Sequence, residues 1–176
     1  MEYVFQLVDG PDFFDEDYYA ASLLGSVLGA DVGSRIFWEL IDTGRADSAA
    51  WGPVSYSDAG LFETFLASRP EDVAENLSAI RRVLAEAARD GVREDEVTRA
   101  RNKALTAMVL SNERPLSRLF RIGSEWLIRG KYFTLQEKLD ILRGLTVDDL
   151  NAVLKKRSLS NPFTIAVGPL DSFEVN

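Results

Sequence analysis

Carboxylates form the densest group of side chains in this sequence that could hold a ligand. Four of them lie within one short segment, Asp12, Asp15, Glu16 and Asp17. Oxygen ligands of this kind suit Mg²⁺ or Ca²⁺, but the segment lacks the mid-loop glycine and the distal glutamate of an EF-hand. Acids also favour the first turn of a helix, where the helix dipole attracts them. We therefore interpret this cluster as the start of a helix rather than as a cation site.

Arginines form a second charged cluster, which could bind an anion. It consists of Arg114, Arg118, Arg121 and Arg129, with Trp126 nearby. The alternative is that Arg118 and Arg121 only flank the buried side of a helix. The apolar face of that helix would contain Leu119, Phe120, Gly123 and Leu127, which recur at helical spacing. We favour the second interpretation.

Histidine and cysteine are absent from the chain. Without them the chain can form neither a Ser-His-Asp triad, nor a thiolate nucleophile, nor a disulfide. Protein zinc sites are also built mainly from these two residues. We therefore predict no catalytic residue, no metal ligand and no cofactor in this chain. The net charge of −8 argues against nonspecific nucleic-acid binding, which requires a basic surface.

Apolar periodicity indicates the elements that position these side chains. Runs rich in β-forming residues cover 3–8, 46–56, 61–67 and 162–167, and helical periodicity dominates most of the remainder. Because strands and helices do not alternate, a doubly wound parallel sheet is disfavoured. We predict one α+β domain over residues 1–176, with helices packed on one face of a mainly antiparallel sheet of about four or more strands. The first and last strands are apolar on both faces, so we place both inside the sheet.

Local signals refine these boundaries. Gly29 and Gly33 bracket a predicted helix end and chain reversal. Because proline donates no hydrogen bond, Pro53 predicts an edge position, a bulge or two shorter strands. Capping boxes are predicted at Ser68, Thr134 and Thr146. Along the helix after residue 93, Asp95 and Glu96 are both spaced to form weak surface pairs with Arg99. No apolar run is long enough to span a membrane, and the first residues do not form a signal peptide. We expect a soluble protein, cytoplasmic or periplasmic.

Residues 22–41, SLLGSVLGADVGSRIFWELI, resemble the opening of the C-terminal domain of M16 metallopeptidases, the family of pitrilysin and the mitochondrial processing peptidase. The matching letters are Leu23-Leu24, Leu28-Gly29, Gly33-Ser34-Arg35-Ile36-Phe37 and Glu39-Leu40. The resemblance continues through the DAGLF run at residues 58–62 and at residues 69–71, 90–103, 111–118, 146–150 and 162–168. It therefore covers nearly the whole chain.

The resemblance implies a LuxS/MPP-like metallohydrolase fold and a division of labour between two domains. In this family the N-terminal domain binds zinc through an HxxEH motif, and the C-terminal domain closes the chamber over the substrate. Because this chain contains no histidine, it is similar only to the second domain. The resemblance thus implies a non-catalytic, substrate-binding part of a longer zinc metalloendopeptidase that acts on peptides or unfolded segments. Zinc would lie in an N-terminal HxxEH domain or in a partner subunit.

Many active members of the family also contribute an arginine and a tyrosine, seven residues apart, from this domain to the substrate. The corresponding positions here are Ile41 and Ser48, which depart from the pattern. Arg45 is displaced by one turn and could partly substitute. The candidate substrate-binding residues are Arg45, Trp51 and Tyr56, with an extended peptide added to the edge of the strand at residues 46–56.

Two alternatives stay open from the sequence. The departures at Ile41 and Ser48 favour a non-catalytic structural or assembly subunit related to the family, like the core proteins of respiratory complexes. If the resemblance is coincidental, the chain is an unrelated α+β binding module.

Overall fold

The structure, a computed structural model, describes residues 1–29 and 32–173. Four strands form one sheet in the order β2-β3-β1-β4, and every neighbouring pair is antiparallel. The strands are β1 Glu2–Asp9, β2 Ser48–Ser55, β3 Gly60–Ser68 and β4 Phe163–Val167. This topology confirms the predicted antiparallel sheet, including the hairpin of β2 and β3 and the edge position of Pro53.

Six α-helices in the described part of the chain accompany the sheet. They are α1 Tyr18–Leu28, α2 Val73–Asp90, α3 Glu94–Glu113, α4 Pro115–Arg129, α5 Leu135–Gly144 and α6 Val147–Lys156. Two short helical segments, Phe37–Ile41 and Pro70–Asp72, precede β2 and α2 respectively. No helix within the described ranges combines the length and the apolar character needed to cross a bilayer.

The hydrophobic core lies between the helices and one face of the sheet. Val4 of β1 and Phe62 of β3 are no more than 1% exposed, and they belong to the same buried cluster as Leu24 of α1 and Leu77 and Ile80 of α2. Side chains alternate between the two faces of a strand, so the neighbours of Val4 project from the opposite face. Tyr3 and Phe5 are accordingly exposed there. The helices thus pack on one face of the sheet, as predicted.

β4 differs from the prediction. β1 lies inside the sheet, but β4 forms its edge, and all five of its residues are exposed. Phe163 and Val167 each retain 68% of their accessible surface. The prediction of a buried interior strand was wrong because an apolar pattern does not identify the neighbours that will cover a strand.

The apolar face predicted for α4 is also not buried. Leu119, Phe120 and Leu127 are 66%, 67% and 86% exposed, and no residue of α4 is buried. The helical periodicity was interpreted correctly, since residues 116–128 are helical. The burial of this face was predicted wrongly, because the described core contains no residue of α4.

The predicted caps have two outcomes. Thr134 and Thr146 cap α5 and α6 by accepting hydrogen bonds from the backbone N–H groups of Glu137 and Asp149. Ser68 forms no cap; its hydroxyl donates to the Arg69 carbonyl and accepts a hydrogen bond from the Asn76 side-chain amide in α2. The predicted chain reversal between Gly29 and Gly33 includes residues 30 and 31, which lie outside the described part of the chain.

Candidate functional site

The GSRIF segment is held by a buried ion pair. The Arg35 guanidinium donates to both carboxylate oxygens of Glu96, at 2.9 and 2.8 Å, and to the Gly91 carbonyl at 3.0 Å. The same carboxylate accepts the Arg93 backbone N–H at 2.8 Å and so caps α3. One carboxylate therefore joins the segment before β2 to the start of α3.

The predicted ion-pair partner of Glu96 was wrong. It is 8% exposed and pairs with Arg35, so the predicted surface pair with Arg99 is absent from the described contacts. The neighbouring prediction is confirmed, because Asp95 and Arg99 form an exposed pair at 2.8 Å. The spacing of Glu96, three residues after Arg93, is that of a capping box and was the available signal for its burial.

Arg45 lies between the segment Phe37–Ile41 and β2, where carboxylates surround it. Its guanidinium donates to Glu39 at 3.2 Å and to Glu75 of α2 at 2.7 Å. Its carbonyl accepts the Asn76 side-chain amide at 2.8 Å. These contacts fix the connection to α2, and a substrate carboxylate or carbonyl would have to compete with two acids for this guanidinium.

Trp51 and Tyr56 occupy different environments along β2. Trp51 is 2% exposed, and its indole stacks on Phe62 with ring centroids 4.8 Å apart. Tyr56 lies just after β2 and is 55% exposed. Arg45 precedes and Tyr56 follows this strand, which alone spans roughly 25 Å at the usual rise per residue. The three predicted residues therefore do not converge on one site; they are spread along one strand.

The centre of β2 offers few hydrogen-bond donors to an added peptide. The Trp51 backbone N–H already donates to the Gly29 carbonyl at 3.0 Å. Pro53, two residues later, has no N–H to donate. Edge strands bind peptides through such backbone groups, so the centre of β2 lacks free N–H groups with which to pair an added strand.

Ile41 and Ser48, the two positions that depart from the family pattern, lie at the two ends of the connection between the segment Phe37–Ile41 and β2. Ile41 ends the short helical segment and packs against the hydrophobic core, and Ser48 opens β2 opposite Ala67. Neither side chain is the long hydrogen-bonding group expected there. Arg45 is the basic residue nearest to Ile41 in the sequence, and its guanidinium is engaged as described above.

The acidic cluster lies in a turn before α1, and basic residues at the end of α6 neutralise its negative charge. Asp12 accepts the backbone N–H of Asp15 at 3.0 Å, and Lys156 lies 2.8 Å from Asp17. Asp15 forms an ion pair with Arg157. Burial would raise the pKa of Asp15, but the Asp17 backbone N–H and the charges of Arg157 and Lys156 hold it below its ordinary value. No group of three or more possible metal ligands occurs among the described residues.

The four arginines near Trp126 do not form one anion site. The Arg129 guanidinium lies 5.2 to 6.0 Å from the centroids of four aromatic rings, those of Phe14, Tyr18, Tyr19 and Phe133. Arg121 instead bonds to Ser111 and Asn112. These contacts attach α4 to α1 and α3 and leave the apolar face of α4 outward.

Comparison with known families matches this architecture to one model. Residues 2–104, more than half of the chain, match the family described as the peptidase M16 inactive domain. A Mycobacterium tuberculosis protein named an uncharacterized zinc protease is 33% identical over 156 residues, which are 88% of this chain and 35% of that protein. A Streptomyces coelicolor protein of the same description is 30% identical over 89% of this chain and 34% of its own length. The chain thus spans about a third of the length of these relatives.

Solved structures share the fold. An M16 inactive domain from Pseudomonas fluorescens superposes with a TM-score of 0.85 at 21% identity, covering 98% of this chain and 42% of that one. An inactive peptidase domain from Bordetella parapertussis gives a TM-score of 0.80 at 20% identity and covers 96% and 93% of the two chains. The family match removes the alternative of an unrelated α+β module. This chain belongs to the peptidase M16 family, and it is the inactive, C-terminal type of domain.

Proposed function

We propose that this domain is the substrate-binding, chamber-closing part of a zinc metalloendopeptidase that acts on peptides or unfolded segments. It is not itself catalytic. One observation carries the proposal: the relatives are named zinc proteases, yet this chain, which matches about a third of their length, contains no histidine or cysteine. A zinc-activated water and its general base must then come from an HxxEH domain elsewhere in the protein or in a partner subunit.

The proposal is tested by assaying this chain alone and then together with the HxxEH-bearing polypeptide. The chain alone is expected to bind no stoichiometric zinc and to hydrolyse no unfolded protein, as measured by metal analysis and by release of peptides from casein. Casein cleavage should appear when the chain is joined to, or mixed with, the HxxEH-bearing polypeptide of the same protein. One tightly bound zinc per isolated chain would contradict the proposal.

The exposed apolar face of α4 indicates a contact with another domain. A soluble domain seldom exposes so large a contiguous apolar patch unless another surface covers it. Self-association through antiparallel α4 helices is disfavoured by charge, because residues 114–131 contain five cations and one carboxylate. We therefore assign the α4 face to the contact with the HxxEH domain, which would present an apolar groove with acidic edges.

Charge placed on this face should break the contact and leave the domain folded. The double variant Leu119→Glu/Leu127→Glu keeps helix propensity nearly constant, and both side chains are exposed in the isolated chain. We expect its affinity for the HxxEH polypeptide, measured by calorimetry, to fall at least about tenfold, since truncating central interface residues commonly costs more than 1 kcal/mol each.

Trp38→Glu is the matched control, because Trp38 is also exposed, at 56%, but does not belong to α4. It should bind as the parent does. Unchanged binding by the double variant would contradict the assignment. The assignment would also be contradicted if light scattering showed that the isolated parent chain is a dimer and that the double variant is a monomer.

The peptide-binding role has two candidate edges. An extended peptide along β2 would lie past Arg45 and Tyr56, but the centre of that strand is blunted. β4 is the more open edge, since all five of its residues are exposed, and unpaired strand edges accept added strands. We propose that the substrate pairs with the β4 edge. Arg45 and Tyr56 lie at the ends of β2, the opposite edge of the sheet, and belong to the alternative in which the peptide runs along β2.

A structural or assembly subunit is the second candidate function. Ile41 and Ser48 favour it, because they replace the arginine and tyrosine that many active members direct to the substrate. The fold is also shared with a chain of Complex III2 from Candida albicans, at a TM-score of 0.79 and 16% identity. Recombination with the HxxEH polypeptide separates the two functions: stable association without casein cleavage would favour the assembly role.

A further inference from the structure

A cavity of about 830 Å³ lies between the inner face of the sheet, α2 and the connection from α6 to β4. Its walls include four apolar side chains that are each no more than 7% exposed, Trp51, Phe62, Leu84 and Leu154. Two buried polar side chains, Gln6 and Thr64, also line it. The volume and the mixture of apolar walls with a few polar groups are typical of small-molecule sites.

The charged residues that line the cavity are all basic. They are Arg81, Arg89, Lys155, Lys156 and Arg157, and no carboxylate occurs among the described lining residues. This distribution is unusual in a chain whose net charge is −8. Five cations beside low-dielectric walls raise the local concentration of anions.

Some of these cations already have partners. Arg89 pairs with Asp90, and Lys156 and Arg157 pair with the acidic cluster before α1. These acids lie outside the lining. The Arg157 Nε is nevertheless buried without a hydrogen-bond acceptor among the described residues. A buried guanidinium N–H without an acceptor is costly, so the end of α6 keeps an unsatisfied donor next to the cavity.

We propose that this cavity binds an organic carboxylate with an apolar body. The carboxylate is recognised by the basic residues at the end of α6 and on α2, and the apolar body packs on Trp51, Phe62 and Leu84. The site differs from the proposed peptide-binding edges, because it lies on the inner face of the sheet and uses the buried Trp51 side chain rather than the backbone edge of β2.

The test compares two ligands that differ only in charge, by calorimetry on the isolated chain. A domain of nearly this length has been solved by itself from Bordetella parapertussis. We expect N-acetyl-L-phenylalanine to bind at one site per chain and its amide to bind at least about tenfold more weakly, since hydrogen bonds to charged groups are roughly twice as strong as those between neutral groups. Equal binding of the two, or no saturable binding of the acid, would overturn the proposal.

Two variants locate the site. Ala88 is exposed in α2 and lines the cavity, so Ala88→Trp should block it and reduce the affinity for the acid at least about tenfold, provided the circular dichroism of the domain is unchanged. Ala152 is exposed in α6 outside the cavity, so Ala152→Trp should bind as the parent does. If Ala88→Trp binds normally, the ligand is not in this cavity. Tighter binding of phenyl phosphate than of the acid would overturn the choice of carboxylate.

Discussion

Replacing Glu96 with alanine is expected to lower the free energy of unfolding by about 3 kcal/mol, because removing one partner of a buried ion pair leaves the other charge uncompensated. Arg35 would lose both carboxylate contacts, at 2.9 and 2.8 Å, and the N-terminus of α3 would lose its cap. Side-chain exposures of 21% for Arg35 and 9% for Glu96 limit how far water can replace the lost partner. Urea unfolding of the isolated domain measures the change.

Asp95 provides the matched control, one residue away in the same helical turn. Its pair with Arg99 is exposed, at 54% and 65%, and exposed pairs contribute little to stability because water screens them. Asp95→Ala should therefore lower the free energy of unfolding far less than Glu96→Ala does. Equal losses in the two variants would show that Glu96 acts only as one more charge at the start of α3.

The contribution of Glu96 should also depend on pH. Burial alone would raise the pKa of Glu96, but hydrogen bonds from Arg35 and from the Arg93 backbone N–H outweigh it and hold the pKa below the ordinary value of 4.5. A carboxyl whose pKa is lower in the folded state stabilises the fold above its unfolded pKa and loses that stabilisation as the pH falls through the folded value. The difference between the parent and Glu96→Ala should be constant near neutrality and narrow below pH 4.5. A difference that stays constant down to pH 3 would contradict this origin.

Gly29→Ala is expected to destabilise the domain by about 2 to 3 kcal/mol, the upper part of the range for overpacking. A Cβ at this position would lie 2.5 Å from the Trp51 Cβ and 2.6 Å from its backbone N. The strand backbone would have to move and would weaken the 3.0 Å hydrogen bond from Trp51 to the Gly29 carbonyl. The φ of Gly29 is negative, at −154°, so the prediction rests on the close contact with Trp51. Thermal and urea unfolding measure it.

Gly123 is the control for this glycine. It lies inside α4, and a Cβ there meets nothing within 4 Å. Because glycine costs a helix up to about 1 kcal/mol relative to alanine, Gly123→Ala should stabilise the domain slightly. Opposite signs for the two variants would establish that α1 and β2 touch at Gly29. A neutral result at Gly29 would mean that the strand can move away at little cost.

Sequence patterns identified most elements because short-range physics determines them. The β2–β3 hairpin, the α4 helix and the Thr134 and Thr146 caps each depend on residues close together in the chain. The failures involve partners outside the local pattern, on another element of the fold. Ser68 had the spacing of a cap but bonds to Asn76, and Glu96 had the spacing of a surface pair but reaches Arg35, 61 residues away.

The candidate site shows the same difference between what local sequence predicts and what contacts between elements decide. Its residue types were identifiable in the sequence, but their surroundings were not, since Arg45 is held by the carboxylates of Glu39 and Glu75 and Trp51 is buried against Phe62. The cavity beneath the sheet had no sequence signal, because its walls come from β1, β2, β3, α2 and the end of α6.

The sequence by itself determined the family resemblance, the α+β class and the absence of histidine and cysteine, which together exclude a conventional zinc site from this chain. These properties follow from residue identity and local periodicity. Only the tertiary structure decided that β4 and the apolar face of α4 point outward and that Arg35 and Glu96 meet. Burial and pairing are set by contacts between residues far apart in the chain, and periodicity specifies that a face is apolar without specifying what covers it.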